Sequence, residues 1–487
     1  MNRRRAGALV TALTLAGCAV GPNYQSPAPP AGAEAPWTSL KPGAEAAAPT
    51  PDDWWRLYDD PALDAYVREA LAANQDIAVA EANLSASRAV LEAARSQQYP
   101  STTSSFGAVN GRDPTTNEIL LLTGRQPTSI WLFDAVIDSS YELDLFGRVR
   151  RSIEASHASA EAVAAARDDL KVTVAAETAR AYAQICALGE ELAVANHNLE
   201  VVSREADITV RRRAAGAGSE FEDVRAETLV AQIRSAIPPI EGQRRAALFQ
   251  LAALLGRTPA HAPVEAQACV VAPKLAAVAP IGDGAALLRR RPDLREAERR
   301  LAQATAEVGV ATASLYPRVT INGFWGGAGS ELSALTAARG LIWGVGPTIQ
   351  WSFPNQSLPR ARVHQAKATE RAALAAFDSA VLRALKETEQ ALSFYDAELD
   401  HHADLLVAQA KARRTYEIAH GQFAAGEASQ LDLLTAEQGL TGADAAVAAS
   451  EAALAQDQIA IFKALGGGWG SPPPAPAPSG SAPGASG

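Results

Sequence analysis

The sequence predicts a mainly α-helical protein with a β-sheet part, built from one structural unit that occurs twice. Three observations support this fold class. Long stretches are rich in Ala, Glu, Arg and Leu and nearly free of Pro and Gly, as helices require. A unit of about 210 residues is repeated along the chain. A few short stretches alternate apolar with polar side chains, which is the periodicity of a strand.

The N-terminal residues have the pattern of an export signal. The positive start "MNRRR" precedes an apolar run, Ala6 to Leu15, which is too short to span a bilayer. "LAGC", ending at Cys18, resembles the lipobox of bacterial lipoproteins, where the chain is cleaved before the cysteine and lipid is attached to it. We therefore expect a signal peptide over residues 1–17 and a lipidated, extended segment over residues 18–60. The alternative is a signal that is retained or cleaved without lipidation.

The repeat is visible residue by residue. Asn74 to Pro100 matches the stretch that ends at Pro317 (317 − 100 = 217), and Gly216 to Glu227 matches Gly426 to Glu437 (437 − 227 = 210). One duplicated unit explains both offsets. We expect a first repeat over 61–256, a linker over 257–285, a second repeat over 286–465 and a disordered Pro/Gly/Ser-rich tail over 466–487.

Both repeats should contain the same helices. The longest, of some 65 residues, would form a rod of about 100 Å. Apolar residues spaced three and four apart along it predict coiled-coil packing. In the first repeat the last helix contains Pro238 and Pro239, which should kink or break it. The expected helices cover 61–98, 148–214 and 219–256 in the first repeat, and 286–314, 360–424 and 428–465 in the second.

Two strands are expected in each repeat. The clearest runs from Trp131 to Phe146, with an apolar face and an acidic face; Val319 to Trp325 and Leu341 to Phe353 alternate in the same way. Such alternation, with aromatic residues near the strand ends, is typical of strands that face lipid on one side and water on the other. An open sheet edge is not tolerated in lipid, so other copies of the chain should complete the sheet. The acids expected to face the water-filled lumen and favour cations are Asp134, Asp138, Glu142 and Asp144.

The sequence contains no pattern of a catalytic or metal site. Its histidines have no metal-binding spacing, and no nucleophile elbow or phosphate-binding loop occurs. An oxidising compartment permits a disulfide between Cys186 and Cys269, but one pair in so long a chain is no disulfide framework, and we expect the two cysteines to be unpaired. The net charge of −10 argues against nucleic-acid binding. We expect no enzyme activity, no metal and no cofactor.

Six stretches together form a family signature: Cys18 to Pro30, Asp53 to Val67, Tyr141 to Arg150 ("YELDLFGRVR"), Ile237 to Glu241 ("IPPIE"), Arg290 to Glu298 ("RRPDLREAE") and Ala464 to Trp469 ("ALGGGW"). In this order they resemble the TolC-like outer-membrane factor family (outer-membrane efflux proteins), in its NodT-type lipoprotein branch. The resemblance implies a homotrimer in the outer membrane, with four strands per chain in one shared 12-stranded β-barrel and an α-helical tunnel in the periplasm.

The resemblance also implies a function. Such proteins are exit ducts of tripartite efflux pumps for drugs, toxic compounds or metal ions, and their partners are a periplasmic adaptor and an inner-membrane transporter of the resistance–nodulation–division type. The alternative with the same fold is a duct for type I protein secretion. A coiled-coil envelope protein without a transport role is a third possibility, against which the alternating strands argue.

Two turns between helices should carry the functional residues. Family members dock the adaptor at these tips, which here contain Gly216 with Ser219 and Gly426 with Ser429. Relatives close the pore with a leucine and an aspartate on the second tip. Leu431 matches the leucine, but Thr435 occupies the aspartate position. Asp432, one turn earlier, is a possible substitute; the alternative is a first-turn acid that complements the helix dipole.

Overall fold

The chain is described by a computed structural model over residues 19–39, 51–112, 122, 124, 129–275 and 284–466. It is mainly helical, with one four-stranded sheet. Among the described helices, none combines the length and the apolar character needed to cross a membrane. In chain order the elements are α1 (Pro61–Ala73), α2 (Gln75–Ser96), β1 (Ser101–Gly111), β2 (Ile130–Leu143), α3 (Arg148–Ala214), α4 (Glu220–Leu254), α5 (Gly284–Arg290), α6 (Pro292–Ala313), β3 (Arg318–Gly329), β4 (Leu341–Gln350), α7 (Ser357–Ala424) and α8 (Gln430–Ala464).

The described elements confirm the duplication. Helices α2 and α6 have 22 residues each, α3 and α7 have 67 and 68, and α4 and α8 have 35 each. Long helices form here because Ala, Leu, Glu and Arg dominate them and glycine is rare until their ends. The expected ranges of the four longest helices are correct to within three residues.

The first helix of each repeat is broken where the sequence predicts a continuous helix. The breaks lie at Asn74 and Arg291, which are equivalent in the two repeats (291 − 74 = 217). The Asn74 side chain accepts hydrogen bonds from the amides of Asp76 and Ile77, at 2.9 and 3.2 Å, and so caps α2. Arg291 precedes Pro292, which disfavours helical backbone at the residue before it.

The two break residues also make equivalent long-range hydrogen bonds. Asn74 Nδ2 donates to the carbonyl of Leu254 at 3.1 Å, and Arg291 Nη1 donates to the carbonyl of Ala464 at 2.9 Å. Each bond satisfies a carbonyl at the end of the last helix of its repeat, where no intrahelical donor is available. The residue at each break therefore links the first part of its repeat to the end of the last helix of the same repeat.

Pro238 and Pro239 do not break α4, which continues through both. Both prolines are exposed, so the carbonyls that lose their amide partners remain accessible to water. The lost hydrogen bonds are also consecutive, which confines the defect to one turn. Of the two outcomes expected from the sequence, the break does not occur, and a kink stays a prediction.

Cys186 and Cys269 form a disulfide, contrary to the expectation from sequence. The bridge attaches the segment after α4 to α3, and the Arg244 guanidinium holds the same segment by donating to the carbonyl of Cys269 at 2.8 Å. Sequence composition could not reveal the pair because the two cysteines are 83 residues apart and come together only when the segment folds back on α3.

The described chain divides into two compact units. Of the described residues, the strand unit contains 19–28, 83–112, 122, 124, 129–163 and 296–377; the helical unit contains 29–39, 51–82, 164–275, 284–295 and 378–466. In the strand unit, the N-terminal segment lies on α6, where the Tyr24 hydroxyl donates to Glu298 at 2.9 Å. In the helical unit, Trp54 is buried against Phe462, with ring centroids 4.7 Å apart.

The sheet has the order β1-β2-β3-β4, with all neighbours antiparallel. Its register brings the predicted apolar faces together, because Ile137 is opposite Trp325 and Trp325 is opposite Trp343. Within the described ranges, the outer edges of β1 and β4 have no partner strand. One chain therefore presents an apolar face and two open edges.

Candidate gate and docking tips

Both predicted helix–helix turns form as expected. Gly216 and Gly426 adopt left-handed backbone, with φ of 78° and 77°, which glycine tolerates without a steric cost. Ser219 and Ser429 then cap α4 and α8 in capping boxes, the first with Glu222 and the second with Asp432. We call residues 211–224 and 421–434 the first tip and the second tip.

Leu431 lies in the first turn of α8 and is 46% exposed in one chain, whereas the neighbouring Leu433 and Leu434 are 1% and 5% exposed. The Thr435 hydroxyl donates to the Leu431 carbonyl at 2.7 Å, so it is satisfied within its own helix. Leu431 therefore presents an apolar side chain at the second tip, outside the two buried clusters of described residues that contain Leu433 and Leu434.

Asp432 makes the contacts of a helix cap. Its carboxylate accepts hydrogen bonds from the Ser429 amide at 3.0 Å and from the Ser429 hydroxyl at 2.6 Å. These two bonds hold the pKa of the Asp432 carboxyl below its usual value. The arrangement matches the first-turn acid that the sequence offered as the alternative to a gate residue, and a role of Asp432 in a gate stays a prediction.

The two tips of one chain are in contact. Leu434 of α8 packs with Val202 of α3 and with Ala226 and Leu229 of α4. The buried amide of Gln430 donates to the Thr209 hydroxyl of α3. The Arg212 guanidinium lies over the Phe423 ring, 4.8 Å from its centroid.

The first tip contains an ion pair that the sequence did not indicate. Arg213 donates to the carboxylate of Asp223 at 2.7 Å, and Asp223 is 5% exposed. Because the partners lie on opposite sides of the turn, the pair closes the hairpin. Charged residues are common near turns, so no sequence pattern singled out these two.

Asp134 and Asp138 share one face of β2, opposite to the face of Trp131 and Ile137. Register places Asp134 beside Gly107, whose missing side chain leaves room for the carboxylate: a Cβ atom there would lie 2.3 Å from Asp134 Oδ1. Asp138 is opposite Thr103 of β1 and Phe324 of β3.

Glu142 and Asp144 differ from these two acids. Glu142 pairs with Arg148 at 2.7 Å and with Arg318 at 2.8 Å. Strand β2 ends at Leu143, and Asp144 accepts hydrogen bonds from the amides of Val149 and Arg150 at 3.0 Å each, which caps α3. The prediction that Asp144 continues the acidic face of the strand was wrong, because the strand ends one residue earlier and Asp144 caps the helix that follows.

The lipidation site, the C-terminal tail and metal binding are the remaining subjects of the sequence-based predictions. Cys18 and the tail from residue 467 lie outside the described residues. Within the described ranges, no group of three or more His, Cys, Asp or Glu side chains is arranged to hold a metal ion.

Comparison with known proteins identifies the architecture. The family model "Outer membrane efflux protein" matches residues 66–257 and 285–467. The solved structure of the outer-membrane channel OprN has 35% sequence identity and a TM-score of 0.83, and the match covers 93% of this chain and 100% of that chain.

Two curated relatives match over nearly the whole chain. Nodulation protein T of Rhizobium leguminosarum bv. trifolii is 28% identical over 458 residues, covering 94% of this chain and 96% of that protein. The toluene efflux pump outer membrane protein TtgC of Pseudomonas putida is 27% identical over 465 residues, covering 94% of each. The family model spans both repeats with their strands and tips, and the chain therefore belongs to the outer membrane efflux protein family, a family of channel proteins and not of enzymes.

Proposed function

We propose that three copies of this chain form the outer-membrane exit duct of a tripartite efflux pump. The duct receives small molecules, such as drugs, toxic compounds or metal ions, from a periplasmic adaptor and an inner-membrane transporter of the resistance–nodulation–division type. The relatives that carry this assignment include the toluene efflux pump protein TtgC. The helical tips, with Gly216, Ser219, Gly426 and Ser429 at their turns, are the proposed adaptor-docking surface.

One observation carries the proposal: the sheet has one apolar face and two edges that, within the described ranges, are unpaired. Trp343 and Val345 of β4 are 68% and 74% exposed in one chain, and the edges of β1 and β4 offer free backbone donors and acceptors. Lipid tolerates the apolar face but not the open edges. Three copies joined edge to edge would give a closed barrel of 3 × 4 = 12 strands.

A matched pair of substitutions on β4 tests this assembly. Val345→Arg places a charge on the apolar face, where a midplane arginine costs about 2–4 kcal/mol per chain. Gly346→Arg places the same charge on the opposite face, where a Cβ atom would meet no described atom within 4 Å. We expect native mass spectrometry of membrane extracts to show trimers for the native chain and for Gly346→Arg, and none for Val345→Arg. A folded, membrane-inserted monomer would contradict the proposal.

We further propose that Cys18 carries lipid and anchors the mature N-terminus to the outer membrane. The motif "LAGC", which ends at Cys18, supports this. Mass spectrometry of the mature N-terminal peptide should find an acylated Cys18, whereas Cys18→Ala should lose the lipid and still assemble, because the strands themselves insert. Recovery of an unmodified peptide that begins upstream of Cys18 would rule the anchor out.

A further inference from the structure

Glu437 is an unexplained acid in the interior of the helical unit. It lies on α8, two turns after the start of the helix, and only 2% of it is exposed. Among the described residues, neither of its carboxylate oxygens has a hydrogen-bond partner. A buried carboxylate without a partner is costly when ionised, so this position requires a physical explanation.

The repeat shows that burial here is specific to one copy. Glu437 is equivalent to Glu227 of the first repeat (437 − 227 = 210), and Glu227 is exposed on α4. Glu227 is therefore exposed to water, whereas Glu437, the same residue type at the equivalent position of the other repeat, is not. The difference arises from packing and not from the local sequence.

The packing in question joins α8 to α3 next to the two tips. On α8, Gln430, Leu434 and Glu437 follow the spacing of one helix face. Gln430 bonds to Thr209 of α3, and Leu434 packs with Val202 of the same helix. Glu437 continues this face, so it lies where α8 packs against α3.

Among the described residues, no positive charge acts on Glu437 to offset its own. From α3, the carboxylate of Glu205 acts on it as a like charge. From α7, Tyr416 faces both acids, and His420 lies beside that tyrosine, with ring centroids 5.8 Å apart. Burial raises the pKa of Tyr416, so its hydroxyl stays neutral. From α4, the adjoining cluster contributes the apolar Ala226 and Leu229.

We propose that Glu437 is a proton-operated latch between the two tips. When the carboxyl is protonated, α8 packs against α3 and the second tip is held to the first. When the carboxyl ionises, a charge without a partner faces Glu205 and the packing of α8 on α3 weakens. The latch follows from the packing of the helical unit and does not depend on the proposed transport function; in a duct, it would make the tips respond to periplasmic pH.

The direction of the pH dependence follows from the raised pKa of Glu437. Burial first, and Glu205 second, raise the pKa of Glu437 from 4.5 to about 7. For a carboxyl whose pKa is raised in the packed form, the packed form has its full stability below pH 4.5 and loses it as pH rises to about 7, with no further loss above. The packing equilibrium changes by at most about 300-fold, the ratio that corresponds to these two pKa values.

Hydrogen–deuterium exchange of the full-length protein in detergent tests the latch without any transport assay. We compare the native chain with Glu437→Gln, which is neutral at every pH, at about pH 4 and about pH 8. Comparison at equal pH removes the intrinsic pH dependence of exchange. We expect equal protection of residues 430–441 at the lower pH, and protection at the higher pH that is lower in the native chain by up to about 300-fold in exchange rate.

Two further variants serve as controls for the Glu437 comparison. Glu227→Gln, the exposed counterpart in the first repeat, should behave as the native chain does at both pH values. Glu205→Gln removes the like charge and should move the native transition to lower pH. If Glu437→Gln does not fold, Glu437→Leu, which is also neutral and of similar size, replaces it. Equal protection of the native and neutral chains at about pH 8 would overturn the latch and leave the proposed duct unaffected; absence of trimers would overturn the duct and leave this comparison valid.

Discussion

Leu431→Ala is expected to raise the ion conductance of the isolated trimer several-fold in planar lipid bilayers. Leu431 is 46% exposed in one chain although its neighbours Leu433 and Leu434 are buried, so its side chain is available to other copies. Apolar side chains that meet near a threefold axis exclude water and thereby block ions without any ion pair. Truncation to alanine would remove that constriction.

Three controls separate this gate from its alternatives. Phe221 occupies the equivalent position in the first tip (431 − 210 = 221) and is 72% exposed, yet Phe221→Ala should leave the conductance unchanged. Thr435→Ala should have little effect, because the hydroxyl donates only to its own helix. If Asp432→Asn opens the pore while Leu431→Ala does not, the seal is electrostatic and the role of Leu431 is wrong.

The second large effect is expected on the acidic face of β2, where the structure divides the four predicted acids into two pairs. Asp134→Asn with Asp138→Asn should weaken the preference of the pore for cations and leave trimers intact. In a trimer this removes 2 × 3 = 6 carboxylates, and low-dielectric walls focus the field of such charges. Reversal potentials in a salt gradient measure the preference.

The other pair should affect assembly more than selectivity. Glu142→Gln with Asp144→Asn leaves Arg148 and Arg318 without their ionic partner and weakens the cap of α3, because an asparagine side chain has one acceptor oxygen where Asp144 uses two. Loss of the Glu142 pairs should cost about 2 kcal/mol, less than a fully buried pair, because the Arg318 side chain is 52% exposed. We expect a lower temperature of trimer dissociation on gels. If both double variants change selectivity equally, the division into two pairs is wrong.

Sequence patterns were sufficient wherever the signal was local or repeated. High helix propensity without an internal break predicted α3, which has 67 residues, and α7, which has 68, to within three residues. The glycine and serine positions predicted both tips. Alternation predicted which side chains share a face of the sheet, because a strand sends successive side chains to opposite sides. The register then confirmed that these faces coincide across β2, β3 and β4.

Only the tertiary structure decided the contacts between distant segments. The disulfide joins residues 83 positions apart, and Asn74 and Arg291 break their helices partly by bonding carbonyls at the far end of each repeat. Most clearly, Glu227 and Glu437 are the same residue in the same place of a duplicated unit, yet one is exposed and the other is buried beside Glu205. The sequence determines helices, strands and turns because these depend on neighbours along the chain, whereas the environment of a side chain depends on which surfaces the folded helices bring together.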